Sequence, residues 1–300
     1  MFKIFLTVVV VTSPFVHINA IADDAATLAS GVQVTRDVVY GTGAGVELHL
    51  DIAKPTESTR PAPCIVVIHG GAWRQGNKSS HLNEIKSFAQ LGYVAATLEY
   101  RFCPEHPFPA QVEDVKCAVR YLRANAEKYG IDPTRFGAIG FSAGAHLSMM
   151  LGTVDVNDAA DKSSLEGDGG WPDQSSKVQA VVAYFGPTVF RDEGLTVVTK
   201  KLVVDFLGGT QADVPDAYRL ASPLSHVSSG DAPMLLFQGT EDPLVPYNQA
   251  FEMAEAMTKA DVPGRVELLI DAGHGWGGKL RDRTNRESVE FFGEHLSHEK

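Results

Sequence analysis

The chain has 300 residues, of which 26 are basic and 37 are acidic, and its formal net charge is −11 at neutral pH. This length suits one large domain, or one domain with insertions. The acidic balance excludes nucleic acid and anionic membranes as expected partners, because both require a basic surface. The spacing of the three cysteines matches no metal site, and three are too few for a disulfide scaffold, so we predict no metal.

The first 22 residues resemble a secretory signal peptide. One basic residue precedes a largely apolar run over residues 4–16, and a small-x-small pattern, Ala-Ile-Ala, closes the segment at 20–22. The run is short for a membrane span and contains Pro14, although a retained anchor or a buried first helix is an alternative. We therefore predict a signal peptide at 1–22, a single domain over 23–300, a secreted or periplasmic location, and no membrane association after cleavage.

The chain then opens with two predicted strands, Val32–Tyr40 and Val46–Ile52, on either side of a glycine-rich turn. They suggest an antiparallel edge. Six apolar runs follow, and residues that are apolar at nearly every position suit central strands covered on both faces. These runs are Cys64–His69, Val94–Leu98, Phe136–Ile139, Val178–Phe185, Met234–Phe237 and Val266–Ile270.

Helical spacing of apolar residues appears between these runs, at Ala110–Ala126, Ala143–Leu151, Asn248–Lys259 and Thr284–Leu296. Strands that alternate with helices predict an α/β fold with a mostly parallel, doubly wound sheet. Residues 155–177 and 188–230 interrupt the alternation. We interpret them as surface insertions that act as partial lid elements.

A nucleophile motif follows the third apolar run. Residues Gly140–Gly144 read Gly-Phe-Ser-Ala-Gly, between a predicted strand and a predicted helix. In that context the pattern describes a tight turn that lifts the hydroxyl of Ser142 above the sheet. An ordinary strand–helix turn with a capping serine is the alternative.

A serine nucleophile needs a base and an acid that orients the base. His274 follows the run Val266–Ile270, and Asp242 follows Met234–Phe237. Loops after parallel strands converge on one edge of a sheet, so we expect both side chains near Ser142. The chain order Ser, Asp, His is that of the α/β-hydrolases.

Other acids and histidines compete for these roles. Glu241 and Asp271 are the alternative acids, but Glu241 should point away and Asp271 is too close to the base along the chain. We expect His146, one helical turn beyond the serine, to pack under the turn. We expect the histidines that follow no strand to be surface residues, namely His81, His226, His295 and His298.

A second glycine motif, His69–Trp73, follows the first apolar run and reads His-Gly-Gly-Ala-Trp. Backbone N–H groups there can stabilise a developing oxyanion. We assign the oxyanion hole to the N–H groups of Gly71, Ala72 and Ala143, with Gly70 as an alternative donor. A plain Gly-Gly turn is the other interpretation, and we expect His69 itself to be a structural hydrogen-bonding residue.

Several further side chains have structural or pocket roles by position. Arg101 and Glu105, in a proline-rich crossing, are expected to form a supporting polar network. Trp73, Phe141 and Trp276 are candidate substrate-pocket residues, with burial in the core as the alternative. The thiols of Cys64, Cys103 and Cys117 are expected to be buried, although a Cys103–Cys117 disulfide is possible in an oxidising compartment.

The motifs at His69–Trp73, Tyr100–Ala110 and Gly140–Gly144 resemble those of the hormone-sensitive-lipase-like esterases. They are more similar still to bacterial carbohydrate-ester hydrolases related to feruloyl and acetylxylan esterases. The likeness runs from about residue 35 to residue 296. It implies the α/β-hydrolase fold, no cofactor, a triad of Ser142, Asp242 and His274, and an oxyanion hole from the glycine motif.

Two departures from the family pattern bear on the substrate. Ala72 stands where many relatives have a third glycine, which narrows the expected acyl pocket, and Phe141 stands where many lipase-like relatives have aspartate. The second departure favours the carbohydrate-esterase side. We therefore predict hydrolysis of a small-molecule or oligosaccharide ester, with acetyl or feruloyl groups removed from carbohydrates.

Three alternatives to that substrate class follow from the same motifs. They are a general short-chain carboxylesterase, an amide hydrolase like the kynurenine formamidases or prolyl peptidases, and a non-catalytic binding protein with this fold. The sequence makes no prediction of the oligomeric state.

Overall fold

The fold is built around one eight-stranded sheet. The computed structural model describes residues 31–154, 165–193 and 195–297, so the predicted signal peptide lies outside the described residues. In chain order the strands are β1 Val32–Gly43, β2 Val46–Pro55, β3 Ala62–Ile68, β4 Val94–Leu98, β5 Ile131–Phe141, β6 Ala180–Tyr184, β7 Met234–Gly239 and β8 Gly264–Leu269.

The strand order across the sheet is β1-β2-β4-β3-β5-β6-β7-β8. β2 pairs antiparallel with both β1 and β4, whereas all the remaining neighbours are parallel. The predicted α/β class with an antiparallel N-terminal edge is therefore confirmed. Because β3, β5, β7 and β8 run in the same direction, the loops that follow them leave from the same edge of the sheet.

Helices cover both faces of the sheet. The described residues form α1 Leu82–Gln90, α2 Ala110–Ala124, α3 Ala126–Tyr129, α4 Ala143–Thr153, α5 Val197–Leu207, α6 Pro215–Ala221, α7 Asn248–Lys259 and α8 Gly278–His295. α2, α4 and α5 pack in one apolar layer, while α1 and α8 pack in the other. Alternate residues of β3 enter the two layers, Val66 one and Ile65 the other. This double burial explains the uninterrupted apolar runs.

The element boundaries differ most from the sequence expectation at two helices and at β5, which begins at Ile131 instead of Phe136. α8 begins at Gly278, six residues before the predicted start at Thr284. α1 was not predicted, although it buries Ile85 and Phe88 at helical spacing. Among these described helices, none is both long and apolar enough to cross a membrane.

The insertion at 155–177 is described only from residue 165 onward, and that part is fastened to α2. The buried ammonium of Lys116 donates to Glu166 Oε1 at 2.6 Å and to Ser176 Oγ at 3.0 Å. Arg120 donates to the other oxygen of Glu166 at 2.9 Å. Residues 165–177 are thus anchored beside α2, and their predicted role as a lid stays a prediction.

The polar network predicted in the proline-rich crossing has different members. Arg101 pairs with Asp114 at 2.7 Å and with Glu113 at 2.9 Å, both on α2, whereas Glu105 is exposed. The prediction of Glu105 as the partner was wrong. Helix α2 packs against the proline-rich crossing and places the carboxylates of Glu113 and Asp114 beside the guanidinium of Arg101. Proximity along the sequence had pointed to Glu105 instead.

Two further expectations are settled by burial. Cys64, Cys103 and Cys117 are all free and buried, so the alternative Cys103–Cys117 disulfide is not formed. Burial raises the pKa of Cys103 to about 11. The prediction of a surface His226 was wrong, because its ring is 3% exposed and bonds to the carbonyl of Leu220.

Candidate active site

The turn at Ser142 is constrained by its glycines. Ser142 has a φ of 55°, an unusual backbone conformation for a residue with a side chain. A Cβ atom on Gly140 would lie 2.1 Å from the carbonyl oxygen of Gly144, and one on Gly144 would lie 2.1 Å from that of Ile68. The serine side chain makes no capping bond to α4, so the capping interpretation does not hold.

The structure brings Ser142, His274 and Asp242 together, from the loops after β5, β8 and β7. His274 Nε2 lies 2.8 Å from Ser142 Oγ, and His274 Nδ1 lies 2.8 Å from Asp242 Oδ2. An ionised carboxylate only accepts hydrogen bonds, so Nδ1 carries the proton and Nε2 is free to accept one. The tautomer needed for a general base is therefore imposed by the hydrogen-bond network.

Asp242 is fully buried and held on both oxygens. Oδ1 accepts from the backbone N–H groups of Leu244 and Val245 at 2.8 and 2.9 Å. Oδ2 accepts from the side-chain amide of Gln238 at 3.0 Å, in addition to its bond with the imidazole. These donors satisfy both oxygens of the buried carboxylate and fix its position beside the imidazole.

Gln238 was not identified from the sequence. Its signal was a polar residue inside the apolar strand β7, four positions before the acid, where it is only 3% exposed. The competing acids take no part in this arrangement, since the side chains of Glu241 and Asp271 are exposed. The backbone N–H of Asp271 donates instead to the hydroxyl of Thr240.

The glycine loop after β3 lies directly against the serine turn. A Cβ on Gly70 would meet the carbonyl oxygen of Phe141 at 2.6 Å and the Cβ of Ser142 at 3.2 Å. Gly71 has a φ of 122° and its carbonyl accepts from two following N–H groups, while Ala72 has a φ of 52°. Such backbone values for the non-glycine Ala72 persist only where the surroundings hold them. Gly70 thus lies against the nucleophile, Ala72 lines the same cavity as Ser142, and Ala143 follows that serine in the chain. The assignment of the N–H groups of Gly71, Ala72 and Ala143 to an oxyanion hole stays a prediction.

Two buried histidines support the site without entering it. His69 stacks on Tyr100 with centroids 4.4 Å apart, and its Nδ1 bonds to the carbonyl of Gly70 at 2.7 Å. His146 accepts a hydrogen bond from Trp73 Nε1 at 3.1 Å and bonds to the carbonyl of Ala221 at 2.7 Å. Burial lowers the pKa of both imidazoles to about 4, which keeps them neutral near pH 7. Both act as structural residues, as expected.

A cavity of about 50 Å³ opens beside Ser142 and His274. Its walls come from the glycine loop, from α5 with the loop before it, and from the loop that follows Asp242. The lining residues are Ala72, Trp73, Ser142, Pro187, Val189, Phe190, Leu195, Thr199, Leu202, Val203, Leu244, Val245, Gln249 and His274. Of the three candidate pocket residues, only Trp73 is in this group.

Phe141 and Trp276 lie in a neighbouring group of rings. Phe141 stacks on His81 with centroids 5.0 Å apart, so His81 is not the freely exposed residue expected from the sequence. Trp276 packs against Phe185, and Phe185 lies 4.8 Å from the ring of His274. α5 lies within the segment 188–230 that was interpreted as a partial lid, but none of its residues was named as lining the site, because no motif marks it. Over the described residues, no group of three or more His, Cys, Asp or Glu side chains is arranged to hold a metal ion.

Comparison with known proteins places this geometry in a group of esterases. The esterase LipC of Mycobacterium tuberculosis is 33% identical over 73% of this chain and 54% of its own length. LipQ, another esterase of that organism, is 31% identical over 86% of this chain and 61% of its own length. The chain therefore spans between half and two thirds of the length of these curated relatives.

Two solved structures match over nearly their whole length. A propionate-bound esterase from Thermogutta terrifontis is 28% identical, with a TM-score of 0.72 over 91% of this chain and 98% of the other. A truncated carbohydrate esterase from gut microbiota is 26% identical, with a TM-score of 0.71 over 91% and 99%. The BD-FAE family model matches residues 50–257. The chain therefore belongs to the BD-FAE family and has the α/β-hydrolase fold of the esterases that its motifs resemble.

Proposed function

We propose that this protein is a serine carboxylic-ester hydrolase that removes acetyl or feruloyl groups from carbohydrate esters. One observation carries the proposal. The hydroxyl of Ser142 is hydrogen-bonded to an imidazole whose other nitrogen is held by a buried carboxylate. The esterase names of the relatives from Mycobacterium and Thermogutta support the reaction class.

Acylation begins when Ser142 Oγ attacks the ester carbonyl carbon. His274 Nε2 takes the hydroxyl proton, and Asp242 stabilises the imidazolium that forms. The negative charge passes to the former carbonyl oxygen, which the N–H groups of Gly71, Ala72 and Ala143 stabilise at about 3 kcal/mol for each donor. The intermediate then collapses, the C–O bond to the alcohol breaks, and the imidazolium returns its proton to the leaving oxygen.

Deacylation repeats these steps with water as the nucleophile. His274 Nε2 takes a proton from water, and the hydroxide oxygen attacks the acyl carbon. The bond to Ser142 Oγ breaks as the imidazolium protonates that oxygen, and a free carboxylic acid leaves. The reaction is complete with the side chains present, and it uses no cofactor.

The carbohydrate substrate is the finer part of the proposal. It is supported by the BD-FAE match and by the structural neighbour titled a carbohydrate esterase. The signal-peptide pattern at 1–22 supports export, with residues 23–300 acting as one secreted or periplasmic domain. An exported enzyme meets polysaccharide or oligosaccharide esters outside the cytoplasm.

The test combines labelling with a substrate panel. A fluorophosphonate probe should label the parent protein, and Ser142→Ala should abolish both labelling and hydrolysis of p-nitrophenyl acetate. Acetylated and feruloylated saccharides then test the carbohydrate substrate, with N-formylkynurenine and a dipeptidyl anilide as amide controls. Cleavage of the amides alone would overturn the ester assignment. Cleavage of p-nitrophenyl esters without any saccharide ester would overturn the carbohydrate substrate.

A further inference from the structure

The cavity beside Ser142 has a closed, apolar far wall. Trp73, Phe190, Val203 and Val245 line it and are each at most 6% exposed. The reacting groups Ser142 and His274 stand at its accessible end, where both are partly exposed. These buried side chains close the far wall, whereas the walls formed by α5, by the loop before it and by the loop after Asp242 include partly exposed residues. A group that enters past Ser142 toward Trp73 must therefore end at this far wall.

Trp73 is fixed in this wall from several directions. Its ring stacks on Phe206 with centroids 4.1 Å apart, and its indole N–H donates to His146 at 3.1 Å. Its carbonyl accepts from the N–H of Cys103 at 2.9 Å. The backbone of Trp73 has a φ of 56°, a strained value that these contacts together maintain.

The tautomer of His146 is fixed by its second hydrogen bond, so that its ring can only accept from Trp73. Its Nε2 lies 2.7 Å from the carbonyl oxygen of Ala221, so Nε2 must carry the proton and Nδ1 must be the acceptor. The imidazole is fully buried on α4, one turn after the nucleophile. Trp73 is therefore hydrogen-bonded to the helix that begins directly after Ser142, and it cannot move away without breaking that buried hydrogen bond.

The size of the cavity limits the group that it receives. Its volume is about 50 Å³, and on this measure a cavity needs about 10–15 Å³ to hold one water molecule. The space thus holds roughly three to five groups of that size. An acetyl, propionyl or butyryl group meets this limit, whereas an octanoyl chain or a whole feruloyl group exceeds it.

The apolar lining also decides which half of the ester enters. A sugar would lose hydrogen bonds to water for its hydroxyl groups among Phe190, Val203 and Leu244, at a cost of about 1–3 kcal/mol for each unpaired group. A polysaccharide also continues beyond its ester and needs an open path. The acyl group is therefore the half that occupies the cavity, and the alcohol remains toward solvent.

We propose that this cavity is the acyl site, and that Trp73, positioned by His146, restricts it to short acyl groups. This inference rests on the proposed esterase function. It selects acetyl over feruloyl esters among the substrates considered above. Trp73 is a specificity-determining residue, and His146 is a positioning residue that acts through it.

The test compares acyl lengths in variants of two different walls. Trp73→Leu enlarges the cavity on the side of the glycine loop. Val203→Ala enlarges it on the side of α5, away from the proposed oxyanion hole. The readout is the ratio of kcat/KM for p-nitrophenyl octanoate to that for the acetate. This ratio cancels any loss that is common to both esters. We expect each variant to raise the ratio by about 10-fold or more, since one methylene in an apolar pocket changes discrimination by about 10–200-fold.

Val198→Ala is the matched control, because Val198 lies on the same helix as Val203 but is 43% exposed and does not line the cavity. Its ratio should equal that of the parent. A parent that cleaves octanoyl or feruloyl esters as well as acetyl esters overturns the acyl-site inference alone. So does an unchanged ratio in both wall variants. A parent that neither reacts with the fluorophosphonate nor cleaves any ester overturns the proposed function itself.

Discussion

Asp242→Asn tests the orienting role of the buried carboxylate with almost no change of shape. The side chain keeps one oxygen, and the structure determines where that oxygen goes. At the Oδ1 position it accepts from the N–H groups of Leu244 and Val245, whereas an amide NH₂ there would face two donors. Each donor left without an acceptor costs about 1–3 kcal/mol. An NH₂ group at the Oδ2 position would face only the amide of Gln238, which keeps its bonds to two backbone carbonyls, and an imidazole that can change tautomer. The oxygen therefore stays at Oδ1, and the NH₂ group takes the Oδ2 position.

In that orientation the NH₂ group faces His274 Nδ1 across the distance that is 2.8 Å in the parent. Nδ1 must then become the acceptor, and the imidazole proton moves to Nε2, opposite the hydroxyl of Ser142. The serine loses its base. We expect kcat to fall about 10⁴-fold, as for the wrong tautomer in other serine hydrolases, which corresponds to about 5 kcal/mol in the activation barrier. KM should change little, because Asp242 is not among the residues that line the substrate cavity.

The assay is hydrolysis of p-nitrophenyl acetate, with thermal melting as a check that the variant is folded. Glu241→Gln is the matched control, because it makes the same chemical change in the adjacent, exposed carboxylate. That control should keep the parent kcat. A folded Asp242→Asn enzyme that retains kcat near the parent value would refute the orienting role of Asp242. An equal loss of activity in Glu241→Gln would refute it as well.

Two further variants test the supporting structure. Burial lowers the pKa of His146 from 6.5 to about 4. Between pH 4 and pH 6.5 the imidazole is therefore protonated in the unfolded chain and neutral in the folded one. The stability that is present above pH 6.5 is lost as the pH falls through this window. His146→Gln should reduce the pH dependence of the unfolding free energy in that window by about 1.4 kcal/mol per pH unit in urea titrations, and an unchanged slope would contradict the assignment. Gly144→Ala should prevent a normal serine turn, because its Cβ would lie 2.1 Å from the carbonyl of Ile68, whereas Gly293→Ala, with open space around it, should be neutral or stabilise by up to about 1 kcal/mol. Normal melting and activity in Gly144→Ala would show that this close approach does not matter.

Much of the architecture was predictable because its signals are local. A central strand buried on both faces must be apolar at nearly every position, and β4 and α7 have the predicted bounds. The motifs that contain Ser142, Asp242 and His274 each follow an apolar run, and parallel strands carry such loops to one edge. The proximity of these three residues therefore followed from their order and position.

Partnerships between distant residues were less accessible. Arg101 binds carboxylates on α2 instead of Glu105, and Glu166 reaches Lys116 across 50 positions of the chain. Gln238 contacts Asp242 because the loop that follows β7 folds back over the end of that strand, which places both Asp242 and Val245 within hydrogen-bond distance of the Gln238 amide. These contacts depend on which helices and loops pack against each other, and the spacing of residues along the chain does not determine that packing.

The sequence by itself determined the fold class, the strand-end positions of the proposed catalytic residues and the constraint on the turn at Ser142, because strand burial and glycine sterics act between near neighbours. Only the tertiary structure decided which side chain supports Asp242, which histidine holds Trp73 and how α5 lines the cavity. Those outcomes depend on side-chain distances of a few ångströms between elements far apart in the chain. Such distances arise only when the two apolar layers pack against the sheet.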